Sequence, residues 1–84
     1  MKLRVLYFGI VREKLGKSEE TIDARDGLTA GDFLTEMADR YPDLGEGVIR
    51  LRVACNSEYV DSDAVLSDED EIAIIPPVSG GRRV

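Results

Sequence analysis

The group best placed to do chemistry in this chain is the main-chain carboxyl of a glycine. The segment Pro76-Pro77-Val78-Ser79-Gly80-Gly81 is followed by Arg82-Arg83-Val84. Two prolines hold a chain stiff and extended, and two glycines then make a thread with no side chains. Such a thread can pass a channel that any Cβ would block. A carboxylate at Gly81 could therefore be pushed into another protein's active site. There it could be activated as an acyl-adenylate and attacked by a sulfur or nitrogen nucleophile. Glycines near chain ends also occur in tails that merely fray, so composition alone leaves both readings open.

The side chains offer little else. The chain has no histidine, which removes Cys/His zinc sites and Ser-His or Cys-His nucleophile pairs. No phosphate-cradling Gly-x-x-x-x-Gly-Lys loop is present. Cys55 is the single thiol. It lies on the apolar face of an expected strand with no base beside it, and a buried, inert thiol is the expectation. One cysteine forms no internal disulfide, which fits a reducing cytoplasm. The acidic stretch from Asp61 to Glu71 lacks the spacing of a calcium loop and reads as a solvated connection. We therefore expect no bound metal or cofactor.

The formal charge of −6 over 84 residues, with acid concentrated after residue 56, argues against nucleic acid as a partner, since phosphates demand a basic stripe. No run of 18 apolar residues is available to span a membrane. The alternating start Met1-Lys2-Leu3-Arg4-Val5 is unlike a secretory signal.

The elements that must position the tail follow from periodicity. Leu3–Phe8 reads as a strand with Leu3, Val5 and Tyr7 on one face and Lys2, Arg4, Leu6 and Phe8 on the other. A short helical turn from Ile10 to Leu15, closed by Gly16, leads to a second strand over Ser18–Ala24, with Ile22 and Ala24 facing in. Thr29 is the expected N-cap of the main helix, with Asp32 three residues on. Ala30, Phe33, Leu34, Met37, Ala38 and Tyr41 form its apolar stripe, and Tyr41-Pro42 ends it. Further strands are expected at Ile49–Cys55, at Tyr59-Val60 after a turn over Asn56-Ser57-Glu58, and at Ile72–Ile75. The intervening acidic connection is anchored by Val65 and Leu66. This order predicts an α+β fold, a β-grasp with a mixed sheet and one main helix on one face, whose first and last strands are central, parallel neighbours. The expected division is a domain over 1–78 and a diglycine tail over 79–84.

Read together, Val53-Ala54-Cys55-Asn56-Ser57-Glu58-Tyr59-Val60 and Leu66-Ser67-Asp68-Glu69-Asp70-Glu71-Ile72-Ala73-Ile74-Ile75-Pro76-Pro77-Val78-Ser79-Gly80-Gly81 closely resemble the small subunit of molybdopterin synthase, a ubiquitin-like sulfur-carrier family. Tyr7-Phe8-Gly9 and Val11-Arg12-Glu13 resemble that family's opening strand and turn. The resemblance implies a ubiquitin-like β-grasp. It also implies adenylation of Gly81 by an ATP-dependent, ubiquitin-activating-like adenylyltransferase, and conversion to a thiocarboxylate. The sulfur would go to cyclic pyranopterin monophosphate in the large subunit, with Gly80 giving passage and the catalytic side chains in the large subunit. ATP would be used by the activating partner, not held by this chain. Phe8, Ile74, Ile75, Pro76, Pro77 and Val78 would meet partners.

The chain departs from the family in two places. Arg82-Arg83-Val84 follows the second glycine, where family members usually end, so either a protease trims the tail, or this form is inactive, or the activity differs. Glu69 stands where the family often has glycine, so the turn before the last strand must form without glycine's easy positive φ. Related carriers for thiamine, cysteine or tRNA thiolation, ubiquitin-like protein modifiers, and a β-grasp binding module with no tail chemistry all remain compatible with the sequence.

Overall fold

The structure, a computed structural model, describes residues 1–44 and 51–76. Chain order is β1 (Lys2–Tyr7), α1 (Gly9–Leu15), β2 (Glu19–Asp23), α2 (Ala30–Arg40), β3 (Arg52–Cys55), β4 (Glu58–Tyr59) and β5 (Glu71–Ile75). The strands form one sheet in the order β2-β1-β5-β3-β4. β1 pairs antiparallel with β2 and parallel with β5, placing Val5 beside Ile72 and Tyr7 beside Ile74. This is the β-grasp expected from the pattern, with first and last strands as central parallel neighbours.

Alternation along the strands builds one core. Leu3, Val5 and Tyr7 from β1, Ile22 from β2, Val53 from β3, and Ile72 and Ile74 from β5 bury against Ala30, Phe33 and Met37 of α2. Leu34, Ala38 and Tyr41 pack partly against the same cluster, so the helix lays down the stripe its periodicity predicts. The Thr29 hydroxyl accepts a hydrogen bond from the Asp32 N–H at 3.1 Å, giving the N-cap. The next two N–H groups, of Ala30 and Gly31, donate to the Ala64 and Ser62 carbonyls, so the loop before β5 completes the cap. Gly16, left-handed at φ 71, closes α1.

Beyond one-residue shifts at the ends of β1, α1, β2 and β5, three details differ from the sequence reading. β4 lies one residue earlier, over Glu58–Tyr59, because Asn56 and Ser57 both take positive φ and make a two-residue turn. Val65 is 63% exposed and anchors its loop only through a main-chain bridge to Thr29, while Leu66 alone is buried. β3 begins at Arg52, and the expected residues Ile49 and Arg50 lie outside the described residues.

Two local features test the energetics. Glu69 does adopt a left-handed φ of 67°. It follows Asp68 in a turn closed by the Asp70 N–H to the Ser67 carbonyl at 3.1 Å. A side chain costs about 1–2 kcal/mol in that region, and glycine's extra unfolded-state freedom returns about 0.5–1 of it. Glu69→Gly should therefore stabilise the fold by up to about 1 kcal/mol, read as a higher urea midpoint at unchanged m-value.

The second is Glu20, whose carboxylate accepts from both the Tyr7 and Tyr41 hydroxyls. Lys17 lies 3.5 Å away and Arg40 4.0 Å. Burial pushes its pKa up, but the bonds from Tyr41, Tyr7 and Lys17 outweigh that and hold it below the ordinary value. A lowered folded pKa gives stability that is present above the unfolded value and lost as pH falls through the folded one. Glu20→Gln should cost roughly 1–2 kcal/mol at neutral pH. The difference from the parent should shrink below about pH 4 in a series of denaturant melts.

Candidate functional site

β5 delivers the tail. It runs between β1 and β3 with both edges hydrogen-bonded, so its direction is held from two sides until Pro76, which has no N–H to continue a ladder. The Pro76 ring lies against Gly9. A Cβ built on Gly9 would meet Pro76 Cγ at 3.1 Å, and Gly9 itself sits at φ +55. Glycine there admits both the turn into α1 and the close passage of the departing chain. Pro77, Val78, Gly80 and Gly81 lie outside the described residues.

Beside this exit the sheet turns an apolar face to solvent. Its register sets Leu6 against Ala73, Ala73 against Ala54, and Ala54 against Tyr59. Two small residues between two large ones make a trough of about 270 Å³, lined also by Phe8, Ser57, Glu71 and Ile75. Ala54 is buried yet stands apart from the core cluster, because it is the trough floor. Phe8 is 45% exposed and Tyr59 59%, large apolar surface for so small a domain. The rim is charged at one end, where Arg4 bridges Glu19 at 3.3 Å and Glu71 at 3.5 Å.

Of the expected partner-facing residues, the structure brings Phe8, Ile75 and Pro76 together at the tail exit, with Phe8 exposed and the other two half-buried. Ile74 is corrected. Its relative exposure is 0% and it packs in the core, because it shares the inward face with Ile72 and pairs with Tyr7 and Val53. Leu6, Ala54, Tyr59 and Ala73 were missed as site residues. The signal was the same alternation, since Leu6 falls in phase with Phe8, and Ala73 with Ile75.

The one thiol takes no part. Cys55 Sγ donates to Asp70 Oδ2 at 3.2 Å. Burial, then this bond and the charge of Asp70, push the thiol up to about 11. The Asp70 carboxylate also accepts from Asn56 Nδ2 at 2.9 Å and the Ser67 N–H at 2.8 Å, so the cluster ties the β3–β4 turn to the start of β5. Among the described residues no group of three or more acidic or cysteine side chains could hold a metal ion, and no helix is long and apolar enough to cross a membrane.

With this geometry in place, comparison with known proteins is direct. The ThiS family model matches residues 5–81 and ends at Gly81. The chain belongs to the ThiS family. It is 42% identical over 84 residues to the molybdopterin synthase sulfur carrier subunit of Chlamydomonas reinhardtii, covering 96% of this chain and all of that one. Its fold is similar to a solved putative molybdopterin converting factor subunit 1 from Pyrococcus furiosus, with TM-score 0.82 and 29% identity over 93% of this chain and 99% of that one. It is also similar to a chain in the complex of subunits 1 and 2 of the molybdopterin-converting factor from Helicobacter pylori, with TM-score 0.68 and 27% identity, covering 96% and 100%. The ubiquitin-like β-grasp of the ThiS family is thus the fold of this chain.

The two adjacent isoleucines should separate core from trough. Ile74→Ala should cost about 2–5 kcal/mol. Ile75→Ala should cost clearly less, since its half-exposed side chain forfeits less buried surface, and equal losses in thermal melts would contradict the assigned faces.

Proposed function

We propose that this chain is the sulfur carrier of molybdenum-cofactor synthesis, working through a thiocarboxylate on Gly81. The observation that carries the reading is the family match, which runs from residue 5 and stops at the second glycine. The Chlamydomonas reinhardtii relative named above, a sulfur carrier subunit, supports it. In this reading an ATP-dependent adenylyltransferase activates the Gly81 carboxylate, releasing pyrophosphate, and a sulfur nucleophile displaces AMP. The sulfur then passes to cyclic pyranopterin monophosphate held by a large subunit. Gly80 lets the thread through, and this chain contributes no catalytic side chain. ATP is consumed by the partner, and no cofactor resides here. The cytoplasm is the compartment that suits its single unpaired thiol.

The trough is the docking face in this reading. Phe8, Tyr59 and Ile75 give a partner apolar anchors within reach of the tail exit, the arrangement that concentrates binding energy at an interface. A large subunit is the partner supported by the Helicobacter pylori complex of subunits 1 and 2.

Chemistry at Gly81 requires a free carboxyl, so Arg82-Arg83-Val84 must be removed by a protease first. Chain ending at Gly81 should be adenylated and thiocarboxylated when mixed with activating enzyme, ATP and a sulfur source. Chain ending at Val84 should be inert. An intact mass spectrum reads the oxygen-to-sulfur exchange, and the thiocarboxylated form should convert cyclic pyranopterin monophosphate with the large subunit. Equal adenylation of both forms would contradict trimming. A thiocarboxylate that forms normally but never reaches the pterin would point to a different thiolation pathway.

A further inference from the structure

Resting on the docking reading above, a second feature of the trough identifies what its partner must carry. Arg52 stands on the open face of β3, two residues before Ala54 and paired with Ile75. Tyr59 pairs with Ala54, so Arg52 and Tyr59 are diagonal neighbours on one face, a spacing that long side chains bridge. They do so. The guanidinium carbon lies 4.4 Å from the centroid of the Tyr59 ring. The stacked guanidinium therefore borders the trough through the Tyr59 ring, at the end where β5 leaves the sheet, while itself lining the neighbouring hollow with Leu51, Val60 and Asp61. At the opposite end, Arg4 already bridges Glu19 and Glu71.

In a chain carrying −6 net charge, most described cations have found carboxylates. Lys2, Arg4, Lys17, Arg25 and Arg40 each lie within ion-pair distance of one. Among the described residues Arg52, like Arg12 and Lys14, has no carboxylate within that distance and faces solvent, and of these three it alone borders the trough. Stacking on an aromatic ring leaves the in-plane N–H donors of a guanidinium unused, and their fork matches a carboxylate. The anchor and the charge are thus presented as one unit.

We infer that Arg52 is a specificity determinant of the docking face, receiving a carboxylate from the large subunit beside the apolar group that fills the trough. The partner surface it fits is an apolar plug flanked by an Asp or Glu. A neutral or basic flank would leave Arg52 desolvated and unpaired, which is how a charged rim rejects wrong partners.

The test measures binding of the Gly81-ended chain to the large subunit at ionic strengths of about 0.05 M and about 0.5 M, where screening lengths differ about threefold. Arg52→Glu should weaken binding about tenfold or more at low salt, mainly through slower association, and the ratio to the parent should fall towards about twofold at high salt. Arg52→Gln should lie between them, and Arg52→Lys should keep the parent's salt dependence. A role confined to propping Tyr59 would instead give a loss that salt does not change, and that result overturns the inference, as does parental binding by Arg52→Glu. Ala73→Trp, which fills the trough floor without adding charge, tests the underlying docking reading separately. It should weaken binding at least about a hundredfold. If Ala73→Trp binds like the parent, the docking reading itself falls. If it fails while Arg52→Glu binds normally, only the carboxylate assignment falls.

Discussion

The parallel pairing of β1 with β5 is the constraint from which the rest of this molecule follows. These strands lie 64 or more residues apart in sequence, and their register sets Val5 beside Ile72 and Tyr7 beside Ile74. Closing a loop of that length costs conformational entropy before any contact rewards it, and the compensation is a run of residues with essentially no solvent exposure. Leu3, Val5, Ile72 and Ile74 are all at 0%. The same pairing fixes where the chain leaves the sheet. With β3 holding β5 from the other side, Pro76 emerges beside Gly9 and Phe8, so the end of β5 and the exposed apolar residues beside it are placed by a single act of pairing.

Period-two alternation turns that pairing into two faces with different tasks. One face takes the large apolar residues under α2 and forms the core. On the other, the register aligns Leu6, Ala73, Ala54 and Tyr59 in a row. The hollow exists because the two central positions are alanines, and larger residues there would level it. The Glu20 cluster lies elsewhere, where the ends of β1, β2 and α2 meet. Two tyrosine hydroxyls and two cations converge on one carboxylate, satisfying polar groups that would be costly to bury alone. The polar network and the open apolar trough occupy opposite sides of β1, separated by the strand itself.

Much of this was legible in the sequence, and the exceptions have physical causes. The strands, the Thr29 cap, the Gly16 stop and the central placement of β1 and β5 all follow from local rules, because capping and periodicity are short-range. The departure at Glu69 was visible only through the resemblance to a family that often has glycine there, and its left-handed φ is seen only in the structure. Ile74 and Ile75 were not separable by type, both being large and apolar at the end of a dense strand. Only the register with Tyr7 and Val53 sends one inward and leaves the other beside Phe8. Ala54, Ala73 and Tyr59 were missed for a related reason. A trough is a relation among residues from three strands, and two alanines attract no notice until pairing sets them side by side. Tyr59 read as an ordinary strand residue because β4 is two residues long and its turn length decides which way the ring points.

A carrier of an activated carboxyl faces a hazard that its own composition helps to meet. In the proposed reading an acyl-adenylate at Gly81 would be open to any nucleophile, including the side chains of the molecule that bears it. With no histidine and a single cysteine, few candidates exist. The thiol of Cys55 is pushed up to about 11 by burial and by Asp70, so at neutral pH it is almost entirely the unreactive neutral form. Lysine is next in reactivity, and the chain has three, Lys2, Lys14 and Lys17. The bond to Asp23 raises the pKa of Lys2, and the bond to Tyr41 raises that of Lys17, with Glu20 adding to it. Both directions favour the ammonium form that an exposed lysine already has at neutral pH. The contacts that tie down the sheet edge and the β3–β4 turn thus also favour the protonated forms of Cys55, Lys2 and Lys17.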